Sequence, residues 1–169
     1  GIEPRVDEGV IAIRITRLES SSLIARRLSP FSVKLCASPE VIEAYGMVER
    51  PQDLAKRPCV IDTNGRWLSN WPFLNESGDI TSVSVSGRIE VNSPMAARAA
   101  AVSGLGWAVL PDFIAAPDLA AGRLVSALDD WIPKGGGIFA VYPHRRYLPA
   151  KVRVLVDFLV QWFRQNGTH

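Results

Sequence analysis

Imidazole and thiol groups are scarce in this chain, with two histidines and two cysteines in 169 residues. His169 ends the sequence, and His144 sits in a Pro-His-Arg-Arg turn with no serine or cysteine nucleophile signature beside it. Cys36 and Cys59 lie in apolar, strand-like contexts, with no CxxC and no Cys/His cluster. No zinc site is expected, and the two cysteines read as buried, reduced thiols. Charge is nearly balanced: 19 basic against 17 acidic residues, a formal net charge of +2. Nucleic-acid surfaces show as a concentrated basic stripe, which is missing here. The densest basic spots, Arg26-Arg27 and His144-Arg145-Arg146, read as solvated edges or anion-facing turns. No run approaches the ~20 apolar residues of a membrane helix, and no basic segment with an apolar core opens the sequence. The serine-hydrolase GxSxG, the phosphate-binding GxxxxGK and the metalloprotease HExxH are all missing. Gly104-Leu105-Gly106 is half of a dinucleotide fingerprint, but the spacing fails and a strand follows it. The acidic residues are scattered, so no acid/base pair is in view. The expectation is a chain that is not an enzyme and needs no metal or cofactor.

What remains is an ordinary globular composition, 47% apolar and 21% charged, with enough length for one domain or two small lobes on a hinge. Val10–Ile15, Val33–Ala37, Cys59–Asp62, Ser82–Val91, Trp107–Leu110, Leu124–Leu128 and Ile138–Tyr142 read as strands. Several are continuous apolar runs, which suggests burial on both faces. Ser38-Pro39 and Ser93-Pro94 each offer an N-cap followed by proline at the first helical position. The helices they open end at Gly46 and at Ser103-Gly104. Pro51 starts a short helix that Pro58 ends, and a helix from Ile114 ends at Gly122. The last helix, from Pro149, carries Val152, Leu155, Val156, Leu159 and Phe163 as one apolar stripe. Alternating strands and helices give an α/β class with largely parallel pairing.

Binding chemistry is better represented than catalysis. Ligands of α/β sheets sit outside the carboxyl ends of strands. Thr16-Arg17, Ser38 and Asn92-Ser93 follow such ends. At the last two, free N–H groups and a hydroxyl suit a carboxylate or other anion. Each Ser-Pro pair taken alone reads first as a simple helix cap, the commonest use of that pair.

In order along the chain, these segments resemble the effector-binding domain of LysR-type transcriptional regulators. Val6-Asp7-Glu8-Gly9 with Ile11-Ala12-Ile13-Arg14-Ile15 is similar to that family's acidic-acidic-glycine stretch and following strand. Ser22–Leu28 resembles the segment leading to its hinge, and Leu35-Cys36-Ala37-Ser38-Pro39 the start of its second lobe. Ala100-Ala101-Val102-Ser103-Gly104-Leu105-Gly106-Trp107-Ala108-Val109-Leu110-Pro111 resembles its helix-turn-strand. Ala140–Arg146 and the helix ending Val156-Asp157-Phe158-Leu159 resemble the return to the first lobe. Val10-Ile11 replaces the aspartate usual before Val-Ala-Ile-Arg, a neutral departure.

The resemblance implies two Rossmann-like lobes of the periplasmic-binding-protein type (type II), joined by two crossover strands, with a small-molecule effector between them. Lobe one is expected from residues 1–32 with 138–169. Lobe two is expected from 33–137, with crossovers near 33–37 and 138–142. Effector contacts are expected at positions resembling Thr16, Arg17, Leu18, Ser38, Asn64, Trp67, Asn92, Ser93 and Pro143. Trp67 reads equally as a cover over a ligand or as core. The family's helix-turn-helix domain and the opening strand, helix and strand of its sensor domain are expected to be missing here. DNA is then reached only through that missing part. The implied partners are an anionic or aromatic small molecule and further copies, a dimer or tetramer in the parent. The implied location is cytoplasmic, with no membrane partner. The alternative with the same fold is a periplasmic-type solute-binding protein for transport. Exposed faces left by the missing start imply self-association of the fragment.

Overall fold

The computed structural model describes residues 12–16, 23–65, 67–134, 136–143 and 149–166. The chain divides into two compact units, Gly1–Ser32 with Gly135–His169, and Val33–Lys134.

The first unit is a three-stranded sheet covered by a helix. β1 (Ala12–Thr16), β10 (Gly136–Pro143) and β2 (Leu23–Phe31) lie in the order β1-β10-β2, antiparallel throughout. Helix α4 (Ala150–Asn166) turns Val152, Val156 and Val160 onto Leu28, Ile138, Ala140 and Tyr142. Residues at a spacing of four keep to one helix face, which is why these three valines bury together. Leu155, expected on that stripe, is 45% exposed. It lies one position ahead of Val156 and so points about 100° away around the helix. β1, expected to be buried on both faces, is an edge strand, and Ile13 is 50% exposed.

The second unit carries a sheet with helices packed on it. β3 (Val33–Ala37) lies between β8 (Ala108–Pro111) and β9 (Val125–Ala127), antiparallel to both. β4 (Cys59–Asp62) pairs parallel with β7 (Gly87–Val91). One parallel bridge, Cys59 to Trp107, lays β8 alongside β4. There Trp107 N–H donates to Pro58 O and Val60 N–H to Trp107 O, both at 2.8 Å. A separate antiparallel ribbon is made by β5 (Asn70–Leu74) and β6 (Ile80–Ser84). The expected predominance of parallel pairing is therefore corrected: among the described residues antiparallel pairing prevails, and β4, β7 and β8 form the parallel part. An apolar run encodes burial on two faces, not direction. Direction is set by partners far away in sequence, such as Cys36 opposite Ala108.

Alternation along β3 and β4 divides the core of this unit. Leu35, Ala37, Cys59 and Ile61 join Trp71, Phe73 and Trp107 in one cluster. Cys36 and Val60 join the other, with the small residues Ala97, Ala100 and Ala101 of helix α2 (Pro94–Val102). Small side chains let this helix lie close to the sheet. Helices α1 (Pro39–Tyr45) and α3 (Asp112–Ala121) and a 3-10 segment, Pro51–Lys56, complete the unit.

Cys36 and Cys59 are both wholly buried. Burial pushes each thiol up to about 12, with Asp129 adding to the rise at Cys36. The thiolate is the reactive form. In the native protein at neutral pH, Ellman's reagent is expected to find neither thiol, and in denaturant both. Rapid native reaction of either one would contradict this packing.

Candidate functional site

The carboxyl ends of β4 and β7 lie side by side, because these strands run parallel with Asp62 opposite Val91. Two loops leave from there. The first opens as an Asx turn: Asn64 N–H donates to Asp62 Oδ1 at 3.0 Å, and Gly65 N–H to Asp62 O at 2.9 Å. The second enters α2, where Ser93 Oγ accepts the Ala96 N–H at 3.1 Å. Cross-bonds fasten the loops together. Thr63 donates to Val91 O through its N–H (2.7 Å) and its Oγ1 (3.0 Å). Asn64 Nδ2 donates to Asn92 O at 2.5 Å.

The structure thus brings together three of the expected residues, Asn64, Asn92 and Ser93. Ser93 spends an acceptor site on its cap and keeps its own proton to donate. Pro94 has no N–H, and the Ala96 and Ala97 N–H groups bond Ser93 Oγ and Ser93 O; the Met95 N–H is left to face a ligand, and the helix dipole adds partial positive charge there. Asn64 keeps its amide oxygen and one amide hydrogen. This is a fixed polar rim suited to a carboxylate or another small acceptor group. Exposed Met95, in the first turn of α2, adds an apolar contact surface beside it. Among the described residues no His/Cys/Asp/Glu group could hold a metal ion. Among the described residues of the rim, Asp62 is the one titratable group.

Ser38 lies elsewhere. β3 runs antiparallel to β8, and β8 lies parallel to β4, so the carboxyl end of β3 falls at the opposite end of the strands from those of β4 and β7. There Ser38 Oγ lies 3.6 Å from where a Cβ on Gly104 would stand. Gly104 follows the far end of α2, ~13 Å along the helix from Ser93 at 1.5 Å per residue. The Ser38 hydroxyl does not cap α1, and it is buried without a hydrogen-bond partner. Its carbonyl accepts Val41 N–H instead. Trp67 is half-buried and packs against the Leu35–Trp107 cluster. In the first unit, Thr16 pairs with Gly137 at one end of β10, and Pro143 closes the other end. Arg17 and Leu18 lie outside the described residues. A separate cleft of about 550 Å³, lined by Arg50, Gln52, Asn75, Glu76, Ser77 and Trp131, contains none of the expected residues.

Two features escaped the sequence reading. Thr63 is one, although its stretch Asp-Thr-Asn-Gly is a strong turn signal. Asp118 is wholly buried in α3. Arg98 of α2 grips it with Nε at 2.5 Å and Nη2 at 2.9 Å, and Arg123 Nε reaches it at 2.6 Å. Its signal was an aspartate inside the apolar run Phe-Ile-Ala-Ala-Pro-Asp-Leu-Ala-Ala.

The model of the LysR substrate binding domain matches residues 2–164. The chain belongs to the LysR substrate-binding-domain family. Among its relatives, PtxR, an HTH-type transcriptional regulator of Pseudomonas aeruginosa, is 34% identical over 149 residues. That match covers 88% of this chain and 47% of PtxR. CrgA of Neisseria meningitidis serogroup C, another HTH-type regulator, is 31% identical over 166 residues, covering 98% of this chain and 54% of CrgA. The LysR-type domain thus spans about half the length of these relatives. Two solved structures carry the same architecture. The CrgA regulatory domain has a TM-score of 0.74 at 30% identity, covering 90% of this chain and 74% of that one. Full-length AphB, a virulence activator of Vibrio cholerae, has a TM-score of 0.77 at 28% identity, covering 89% of this chain and 51% of that one. Among the described residues, no helix of this LysR-type domain is long and apolar enough to cross a membrane.

Proposed function

We propose that this chain is the effector-sensing part of a LysR-type transcriptional regulator. It binds a small molecule, and that binding biases how DNA-binding domains elsewhere in the protein engage their operator. The observation that carries the reading is the pair of cross-bonded loops at the carboxyl ends of β4 and β7. In this reading the effector presents a carboxylate or similar acceptor to Ser93 and the start of α2, with an apolar body against Met95. The two compact units are the two lobes of the sensor; the crossings expected near 33–37 and 138–142 correspond to the divisions after Ser32 and after Lys134. The regulator acts in the cytoplasm as a homo-oligomer, and the chain is a sensor without catalytic activity. A ligand switches such a protein only if it binds two states unequally.

A thermal-shift screen of aliphatic and aromatic carboxylates tests this. At least one is expected to raise Tm by preferential binding to the folded chain. Ser93→Ala and Asn64→Ala are each expected to weaken its binding about tenfold, the worth of one hydrogen bond to a charged group. No stabiliser from a broad panel, or a stabiliser indifferent to both substitutions, would count against the proposal.

A further inference from the structure

Three segments of the second unit close round the cleft of about 550 Å³, a volume in the range of small-molecule sites. Arg50 and Gln52 come from the cap and first turn of the Pro51–Lys56 segment, and Asn75, Glu76 and Ser77 from the turn between β5 and β6. Trp131 comes from the 3-10 turn Asp129–Trp131. Each wall is held from behind. Trp131 packs against the Leu35–Trp107 cluster, and its backbone N–H donates to Leu128 O at 2.8 Å. Asn75 Oδ1 accepts the N–H groups of Ser77 and Asp79, both at 2.9 Å. Those bonds fix the amide plane and leave both Nδ2 hydrogens to donate. The backbone N–H groups of Glu49 and Arg50 donate to Asp53 Oδ2, and Arg50 Nε lies 3.7 Å from Asp53 Oδ1.

The lining narrows the ligand. One wall is the indole of Trp131; among the described residues the other five are polar and none is aliphatic. A wholly apolar molecule would leave those five groups without partners. An anion would meet Glu76 and a cation would meet Arg50, so neither charge is favoured. The complementary molecule is neutral, with an apolar face and a rim of groups that both donate and accept. A sugar ring has this make-up: its C–H face lies against an aromatic ring, and its hydroxyls pair with planar amide, carboxylate and guanidinium groups.

We propose that this cleft binds a neutral mono- or disaccharide, with a sugar ring laid on the Trp131 indole. Asn75 Nδ2 and Arg50 donate to hydroxyl oxygens, Glu76 accepts from hydroxyl hydrogens, and Gln52 and Ser77 do either. The cleft contains none of Asn64, Asn92 and Ser93, and the proposal does not rest on the reading of that rim. The chain then carries a second small-molecule site, of different chemistry from the first.

The test is NMR titration of the whole chain with glucose, galactose, maltose and lactose. At the ligand efficiency of drug-sized molecules, a hexose binds with Kd on the order of millimolar. At least one sugar is expected to shift the Trp131 indole N–H and the Asn75 side-chain amide, with Asn92 and Ser93 unmoved. Gln52→Ala and Ser77→Ala, both at exposed positions, are each expected to weaken binding about fivefold, the worth of one neutral hydrogen bond. Trp131→Ala is expected to abolish it; because Trp131 also touches the core, the two exposed variants keep the outcome independent of folding. Glucuronate and glucosamine, similar rings with one charge, are expected to bind no tighter than glucose. The proposal is overturned if none of the four sugars shifts these groups, or if the shifts centre on another part of the chain. It is equally overturned if Gln52→Ala and Ser77→Ala both bind like the unaltered chain, or if either charged ring binds about tenfold tighter than glucose.

Discussion

Replacing Asp118 with alanine is expected to destabilise the protein by ~3 kcal/mol and to lower Tm by about 10 °C. The carboxylate is wholly buried and holds two arginines at once. It ties α2 to α3, and through Arg123 it reaches the residues that lead into β9. Removing it leaves two guanidinium groups without a partner. Their side chains are 32% and 51% exposed, so water recovers part of the loss. That is why the expected cost sits at the low end for a broken buried ion pair. Arg98→Met is expected to cost more than Arg123→Met, because Arg98 bonds through two nitrogens and is the more buried partner. Urea denaturation of the three variants checks the order.

The same site has a pH signature. The hydrogen bonds from Arg98 hold the Asp118 carboxyl below the usual carboxylate range; burial opposes this and Arg123 adds to it. An unfolded aspartate titrates near ~3.9. A carboxyl depressed in the folded state contributes stability that is complete above the unfolded value and lost as pH falls through the folded one. The stability difference between the unaltered protein and Asp118→Asn should therefore be flat above about pH 5 and shrink below about pH 4. A difference that persists unchanged into strong acid would contradict the ion-pair account.

Gly106→Ala is expected to cost about as much, ~3 kcal/mol, for a different reason. Gly106 has φ +154, and a Cβ there would stand 2.5 Å from Pro58 O and 2.9 Å from Cys59 N. Those atoms are backbone of the neighbouring strand, so no side-chain rotation relieves the collision. The position is the seam where Trp107 bonds Pro58 and Val60, which joins β8 to β4. Gly104→Ala is the control. Its φ is +85, but the nearest atom to a Cβ there is Ser38 Oγ at 3.6 Å, so only backbone strain of ~1 kcal/mol applies. Equal losses for the two variants would show that the seam tolerates a methyl group and that the close approach is not limiting.

Local chemistry made many elements legible. Ser93-Pro94 opens α2 and Gly122 closes α3 with φ +76, as their residue types predict. β3, β4 and β8 were visible as apolar runs. β2 was not, because Arg26-Arg27 interrupts the pattern and a register shift against β10 skips Leu28. β5 was missed because Pro72 argues against a strand. It is tolerated there because its nitrogen faces the free edge. Ser82–Val91 was read as one strand, but it is two, β6 and β7, with Val85 buried at the break between them.

The candidate site was legible to the same depth. Asn64, Asn92 and Ser93 meet because both loops follow parallel strands. Ser38 carries the same local signature as Ser93, yet it follows a strand running the other way. Strand direction depends on contacts across the sheet, and no local pattern encodes it. The glycines at 104 and 106, weak as a nucleotide motif, proved to be a helix end and a strand seam.

The most direct test of the central claim is amide chemical-shift mapping of the chain during titration with a stabilising carboxylate. The account predicts that the perturbations in residues 33–134 concentrate at Thr63, Asn64, Asn92, Ser93 and Met95, and that Ser93→Ala moves them to about tenfold higher ligand concentration. Perturbations centred on Ser38 and Gly104, or on the Arg50–Trp131 cleft, with Thr63–Met95 silent at saturation, would contradict it.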